Sequence, residues 1–481
     1  MNSLLARKSV ADIVASAETP GHRVPKVLGA ASITAMGIGA IIGAGIFVLT
    51  GTVAALNAGP AIVISFVLAA IACCLVGLCY AELSALLPVS GSTYTYTYAT
   101  LGELAAWVIG WDLILEYTMG SAAVAVGWSG YFNNLLGMAG LSLPPRFAAA
   151  TGQTVVLADG TSVTAIANLP AAAIVLLITV LLVGGTRESV RLNNIMVALK
   201  LTVIVAFIGL GAFHVQSANW QPFIPENTGT FGSFGVSGIM RGASIVFFTY
   251  IGFDAVSNCA QEAKRPQRDM PIGILGSLAI ATVLYISVAA VLTGLVPYPQ
   301  LNVPDPVAKG VSAIGYEWFS LFISLGALVG ITTCILVLLY GQSRILATMA
   351  NDGLMPPVVG RLHPRLGTPW ISQITLGVVV AVTAAVAPMD ALDELVGVGT
   401  LFAFILVCAA VIYLRAIDPN VHRPFRVPSV PWVPLLGILS CLGLMAGLES
   451  ASWVRLVGWL AVGLVIYFAY SRHHSRLRAG K

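Results

Sequence analysis

Residues 34–51 read TAMGIGAIIGAGIFVLTG, an apolar run into which Gly37, Gly39, Gly43 and Gly45 are set. Glycine loses the most backbone freedom on ordering, so a helix over this run is weakest near its middle. The surrounding apolar residues predict a membrane crossing. A break there frees backbone groups, which lipid tolerates only where they are covered by protein or line a cavity. The half-helix that restarts after Gly43 then turns N–H groups and a positive dipole end toward an anion, as helix N-termini do for carboxylates. A substrate carboxylate fits that position. Gly39 and Gly43 also form a small-xxx-small packing motif that admits a neighbouring helix, and the glycines alone leave both readings open.

The rest of the 481-residue chain has the same character, 58% apolar and 9% charged, whereas a water-soluble domain carries about 25% charge. Runs long enough to cross the hydrocarbon core recur at 28–54, 60–87, 102–136, 168–186, 192–215, 237–260, 272–297, 316–347, 369–388, 390–415, 431–449 and 453–471, predicting twelve spans and no separate soluble domain. Lys and Arg collect in cytoplasmic loops. Arg7, Lys8, Arg23 and Lys26, Arg187 and Arg191, Lys264, Arg265 and Arg268, Arg344, Arg361 and Arg365, Arg415, Arg423 and Arg426, and Arg472, Arg476, Arg478 and Lys481 place 19 of 24 basic residues on one side. Both termini are therefore expected in the cytoplasm. The net charge of +4 follows from this asymmetry and is no nucleic-acid signal. The first 27 residues lack the apolar core of a signal peptide and are expected to stay. All seven cysteines fall inside spans without metal-ligand spacing, so neither metal nor cofactor is expected.

Span six reads IVFFTYIGFDAVSNCAQE (245–262), with Gly252 interrupting an aromatic-rich crossing and Asp254 two residues on. A carboxylate at membrane depth is costly and marks function by default. If span six repeats span one, the chain divides into a cytoplasmic segment 1–27, a repeat over 28–215, a second over 237–415, spans eleven and twelve over 431–471 and a tail 472–481. Five spans per repeat force the second upside down, the inverted-repeat plan of many secondary transporters. Carbonyls around Phe248, Thr249 and Ile251 then receive an ammonium while span one holds the carboxylate. A zwitterion is read at both ends.

These segments, with YAELSALLPVSGSTYTYTY (80–98), LGELAAWVIGWDLILEY (101–117), NNIMVALKLTVIV (193–205), FFTYIGFDAVSNCAQEAKRPQRDMPIGI (247–274) and YGQSRILATMANDGLMP (340–356), resemble the amino acid, polyamine and organocation superfamily and, within it, bacterial members of the cationic amino acid transporter family. The resemblance runs from about residue 24 to 471. It implies an all-α LeuT-like fold of 5+5 inverted repeats with helices one and six unwound, alternating access, and a place in the bacterial inner membrane. Carried over residue by residue, Ile42, Gly43, Ala44 and Gly45 meet the carboxylate, and Phe248, Thr249 and Ile251 the ammonium. It also implies proton coupling, with Lys200 standing where sodium sits in sodium-driven relatives.

Lys200 is the one basic residue deep in a span, and a buried ammonium demands acceptors. Broken helix-one carbonyls, with Thr332 and Thr333 of span eight, are its expected partners; a permanent tether between helices is the structural alternative. Glu116 lies one turn beyond Asp112 on the same face of span three and is the candidate proton relay, against a fixed ion pair or hydrogen bond. Asp112 is expected to order the inner gate, and Asp254 to hold the unwound stretch or to sense the ammonium. Tyr94, Tyr96 and Tyr98 read as an interfacial aromatic belt. The stretch AKRPQRDMP (263–271) reads as a loop punctuated by Pro266 and Pro271. Ile42, Phe248, Ile251 and Ile331 make an apolar wall, with Ile331 the candidate size gate, which favours small to medium neutral amino acids such as alanine.

The expected partners are an amino acid, protons and membrane lipids, with a small membrane subunit left open. Exchange of cationic amino acids or polyamines is the alternative within transport, and a non-translocating amino acid sensor the alternative of another class. No nucleophile with a base, phosphate loop or metal cluster points to an enzyme.

Overall fold

The computed structural model describes residues 7–8, 13, 26–156 and 162–478, without the side chains of 156, 186–190, 390, 393 and 394. Most of the 1–27 segment, including Arg23, and Lys481 and the Arg187 side chain therefore lie outside the described residues.

Helices dominate, and they fall where the apolar runs do. They are α1 (Ala30–Ile41), α2 (Ile62–Leu86), α3 (Ser92–Thr100), α4 (Glu103–Met138), α5 (Leu169–Gly184), α6 (Thr186–Ala212), α7 (Gly235–Val246), α8 (Pro266–Leu295), α9 (Pro306–Ser312), α10 (Glu317–Asn351), α11 (Trp370–Val386), α12 (Met389–Ile417), α13 (Trp432–Ala446) and α14 (Ser450–Ile466). The all-α expectation misses one small hairpin, β1 (Thr154–Val156) with β2 (Ser162–Thr164), paired antiparallel with Val155 opposite Val163.

Seven stretches among the described residues are long and apolar enough to cross a membrane: Gly45–Leu86, Arg191–Ala212, Gly235–Glu262, Pro266–Leu295, Glu317–Asn351, Leu395–Ile417 and Ser450–His474. Four apolar helices are shorter: Ala30–Ile41, Leu169–Gly184, Trp370–Val386 and Trp432–Ala446. The outer helices turn bulky apolar residues outward, with Val180 73% and Leu177 63% exposed on α5 and Leu439 63% exposed on α13. Such a surface calls for lipid rather than water. Inside the ring, α4 and α10 lie side by side, and α8 packs on both α1 and α2.

Two local expectations are corrected. The 263–271 stretch is not a loop throughout, because helix α8 begins at Pro266. Proline suits a first helical turn, where its missing N–H is no loss, and Asp269 Oδ2 accepts the Arg265 N–H at 3.1 Å. Tyr94, Tyr96 and Tyr98 form no interfacial belt: they lie on α3 and are fully buried. Tyr94 donates to Asp352 Oδ2 (2.7 Å) and Tyr98 to Glu103 Oε2 (3.0 Å). The Tyr94 and Tyr98 phenols turn inward where two buried carboxylates need donors.

Those carboxylates also anchor the chain ends. Glu103 Oε1 accepts from Tyr467 (2.9 Å) and from Arg478 Nε (2.7 Å), and Asp352 pairs with Lys8. At the same end of the bundle Glu82, on α2, is buried against Arg415 Nη2 (2.6 Å), Arg423 Nε (3.3 Å) and the Val427 N–H (2.6 Å). Removing one member of a buried ion pair strands the other, at a cost of about 3–5 kcal/mol. Glu82→Ala is accordingly expected to lower the melting temperature of the detergent-solubilised protein clearly, measured by thermal shift, whereas Glu449→Ala, whose partner Arg241 is met at the exposed surface, should leave it nearly unchanged.

Candidate substrate site at two helix breaks

Helix α1 ends at Ile41, Ile42 is extended (φ −81°, ψ 91°), and helical turns resume at Gly45 with a wider, π-type winding. The break leaves four successive carbonyls without the amides a continuous helix would offer. Each finds a side chain. Lys200 Nζ donates to Gly39 O (3.1 Å), Ile42 O (2.7 Å) and Thr333 Oγ1 (2.8 Å), which occupies all three hydrogens of an ammonium. Thr333 passes its own proton to Gly330 O (2.6 Å) or Gly39 O (3.1 Å). Cys334 Sγ donates to Ala40 O (2.9 Å), and Tyr285 Oη lies 2.7 Å from Ile41 O. Lysine approaches across Gly330, where a Cβ would stand 3.2 Å from its Cδ.

The second break follows α7. Tight turns over Phe247–Tyr250 give way to an extended Ile251 (φ −60°, ψ 138°) and then to Gly252 at φ +118°, a left-handed conformation that side chains disfavour. Asp254 closes the corner, with Oδ1 accepting the Gly252 N–H (3.0 Å) and Oδ2 the Tyr117 hydroxyl (2.6 Å). Tyr285 Oη is also 2.7 Å from Thr249 O, so one phenol touches both breaks.

The breaks meet each other. A Cβ on Gly252 would lie 2.9 Å from the carbonyl carbon of Ala40, and a Cβ on Gly45 would lie 2.8 Å from Thr249 Cα. Backbone against backbone leaves no room for either. A further bridge joins the segment before α1 to the segment before α8, with Leu28 N to Glu262 O at 2.9 Å and Lys264 N to Leu28 O at 2.7 Å.

Between the breaks lies a small pocket lined by Ile41, Gly43, Ala44, Gly45, Gly120, Val124, Phe248, Thr249, Ile251, Cys334 and Leu338. All of these residues are buried. One side carries Gly43–Gly45 and the first amides of the resumed helix, which have no preceding turn to bond. The opposite side is aliphatic.

Gly43, Ala44, Gly45, Phe248, Thr249 and Ile251 thus come together as the sequence places them. Ile42 contributes its carbonyl to Lys200 and does not line the pocket. Ile331 is buried outside the lining, and α10 presents Cys334 and Leu338 instead. Thr332 donates to Leu328 O of its own helix (2.7 Å), leaving Thr333 as the hydroxyl at Lys200. Tyr285, Cys334 and Gly120 escape sequence reading because they resemble any other residues of an apolar span. Of the acidic residues, Asp112 and Glu116 are buried, and neither carboxylate has a hydrogen-bond partner among the described residues.

A model of the amino acid permease family matches residues 28–468. The methylthioribose transporter of Bacillus subtilis is 46% identical over 99% of this chain and 100% of its own, and the branched-chain amino acid permease of the same organism 47% identical over 99% of both. The vacuolar cationic amino acid transporter 4 of Arabidopsis thaliana is 37% identical over 87% of this chain and 68% of its own. With nearly its whole length matched, and with apolar helices turned toward lipid around a buried pocket, the chain belongs to the amino acid permease family of the amino acid, polyamine and organocation superfamily, and is a multi-pass membrane transporter rather than an enzyme.

Proposed function

We propose that the chain takes up neutral L-amino acids of small to medium size, alanine among them, by proton-coupled alternating access. The observation that carries this reading is the meeting of two helix breaks across one buried pocket, to which Gly43–Gly45 of the first break and Phe248, Thr249 and Ile251 of the second contribute. The amides of Gly43, Ala44 and Gly45 receive the carboxylate. The carbonyls of Phe248, Thr249 and Ile251 receive the ammonium, with the Phe248 carbonyl keeping a second lone pair beside the Ile251 N–H it accepts, and the Thr249 carbonyl sharing the single Tyr285 proton with Ile41 O. The twelve-span, 5+5 inverted-repeat plan over 28–215 and 237–415, a bacterial inner-membrane location and cytoplasmic termini complete the proposal.

Lys200 acts in it as a fixed cation that holds the first break, filling the place of a coupling sodium. Glu116, buried without a partner, carries the coupled proton, while Asp254 holds the second break through Gly252. A second reading has support in a relative's name, since methylthioribose is an uncharged sugar thioether. For that ligand the pocket offers one side-chain hydroxyl, on Thr249, which already donates to Val246 O at 2.7 Å, so its ribose hydroxyls would depend on the same main-chain groups.

Purified protein in liposomes, offered alanine, leucine, arginine, putrescine and methylthioribose under proton, sodium or no gradient, tests the reading. Uptake of neutral amino acids driven by protons is expected; sodium dependence, or uptake confined to methylthioribose, defeats it. Lys200→Ala, which strands the Gly39 and Ile42 carbonyls, should abolish uptake, and Glu116→Gln should retain exchange yet lose accumulation against a gradient. Gly45→Ala forces a methyl into the Thr249 backbone and should weaken binding about tenfold or more, read by substrate-dependent thermal shift.

A further inference from the structure

We propose that Gly120 of α4 sets the length of side chain the pocket accepts, its missing side chain leaving the space in which a branched aliphatic group is carried. The inference rests on the reading that an amino acid binds between the two breaks, and it adds where that amino acid's side chain goes. Main-chain polar groups lie along the Gly43–Gly45 and Phe248–Ile251 edges of the pocket. The one substituent of the α-carbon that seeks no hydrogen bond must turn to the remaining wall. That wall is Gly120 and Val124 of α4 with Cys334 and Leu338 of α10.

A glycine inside a helix has two ordinary structural causes, and neither holds at Gly120. One is close approach of a neighbour. At Gly110 of the same helix a Cβ would stand 2.7 Å from the Met349 sulfur, and at Gly127 2.9 Å from Ala44 Cβ, so packing explains both. At Gly120 the nearest atoms are Leu338 Cδ1 at 3.7 Å and the Val396 methyl carbons at 3.8 and 3.9 Å, ordinary van der Waals contact. The other cause is a left-handed backbone, and Gly120 lies in the regular interior of α4. Glycine there weakens the helix relative to alanine with nothing local in return. What its hydrogen leaves is room for one methyl group beside the aliphatic Leu338 and Val396, at a point where the helix lines the pocket. Apolar walls of this kind match a branched hydrocarbon and offer no partner to a charged terminus.

The test compares wild type and Gly120→Ala in liposomes, with kcat/KM measured separately for alanine and leucine and the melting temperature followed alongside. Wild type is expected to carry both. Gly120→Ala should lower the leucine-to-alanine ratio of kcat/KM by about tenfold or more, the scale of one methylene in an apolar site, without a fall in the melting temperature. Leu338→Ala, enlarging the same wall, should admit phenylalanine. An unchanged leucine-to-alanine ratio in Gly120→Ala overturns the inference and leaves the proposed function standing. So does wild type that carries alanine but no leucine. A variant that loses both substrates together with thermal stability also overturns it, because packing then accounts for the glycine. Wild type that carries no amino acid at all removes the functional reading itself.

Discussion

Four carbonyls released by one break in an apolar helix set the terms for much of this molecule. In water they would be solvated at no cost. Within lipid each needs a donor from the protein, and Gly39, Ala40, Ile41 and Ile42 obtain theirs from Lys200 and Thr333, Cys334, and Tyr285. Those donors sit on α6, α10 and α8, so the break fixes where three long helices stand. The second break is tied to the first through Tyr285 and through direct backbone contact at Gly45 and Gly252. A pocket forms between them because two interrupted backbones cannot fill the space that side chains on intact helices would fill.

Donor satisfaction on the carbonyl side leaves the amide side open. Side chains meet the freed C=O groups, whereas Gly43–Gly45, where the helix resumes, line a pocket with no basic side chain among its lining residues. Lys200 is spent on two carbonyls and the Thr333 hydroxyl, with all three of its donors engaged. The same contrast runs through the acids. Glu82, Glu103 and Asp352 are held by arginine, lysine, tyrosine and main-chain donors at the end of the bundle where the chain termini gather. Asp112 and Glu116, deeper along α4, have none. Buried carboxylates without donors are unfavourable for a fixed structure, and a proton is the smallest partner that relieves them.

Much of this was legible from residue chemistry. The lone lysine of span five and the paired glycines at 43 and 45 stand out because an apolar run has no ordinary use for them. Asp254 beside Gly252 stands out for the same reason. Tyr285 and Cys334 did not, since a tyrosine or cysteine in a membrane span serves packing as readily as hydrogen bonding. Ile331 was the natural guess for the pocket wall beside the threonine pair, yet the turn of α10 carries it away and brings Cys334 and Leu338 round. The alternating Thr and Tyr of 93–98 show no helical period in their polarity, so the short buried α3 and the inward turn of its phenols were hidden. Likewise Pro266 marks either a loop or a first helical turn, and only its neighbours decide.

The sequence by itself determined the solvent, the points at which the backbone would fail, and the few charges that lipid would not tolerate without purpose. These follow from composition and local propensity, which act over a turn or two of chain. Tertiary structure alone decided which donors answer the freed carbonyls and which residues of α4 and α10 line the pocket. Hydrogen bonds act over about 3 Å, while Lys200 and Thr333 lie 161 and 294 positions from the Gly39 carbonyl they serve. Only the packing of α6 and α10 against the first break brings such residues within reach.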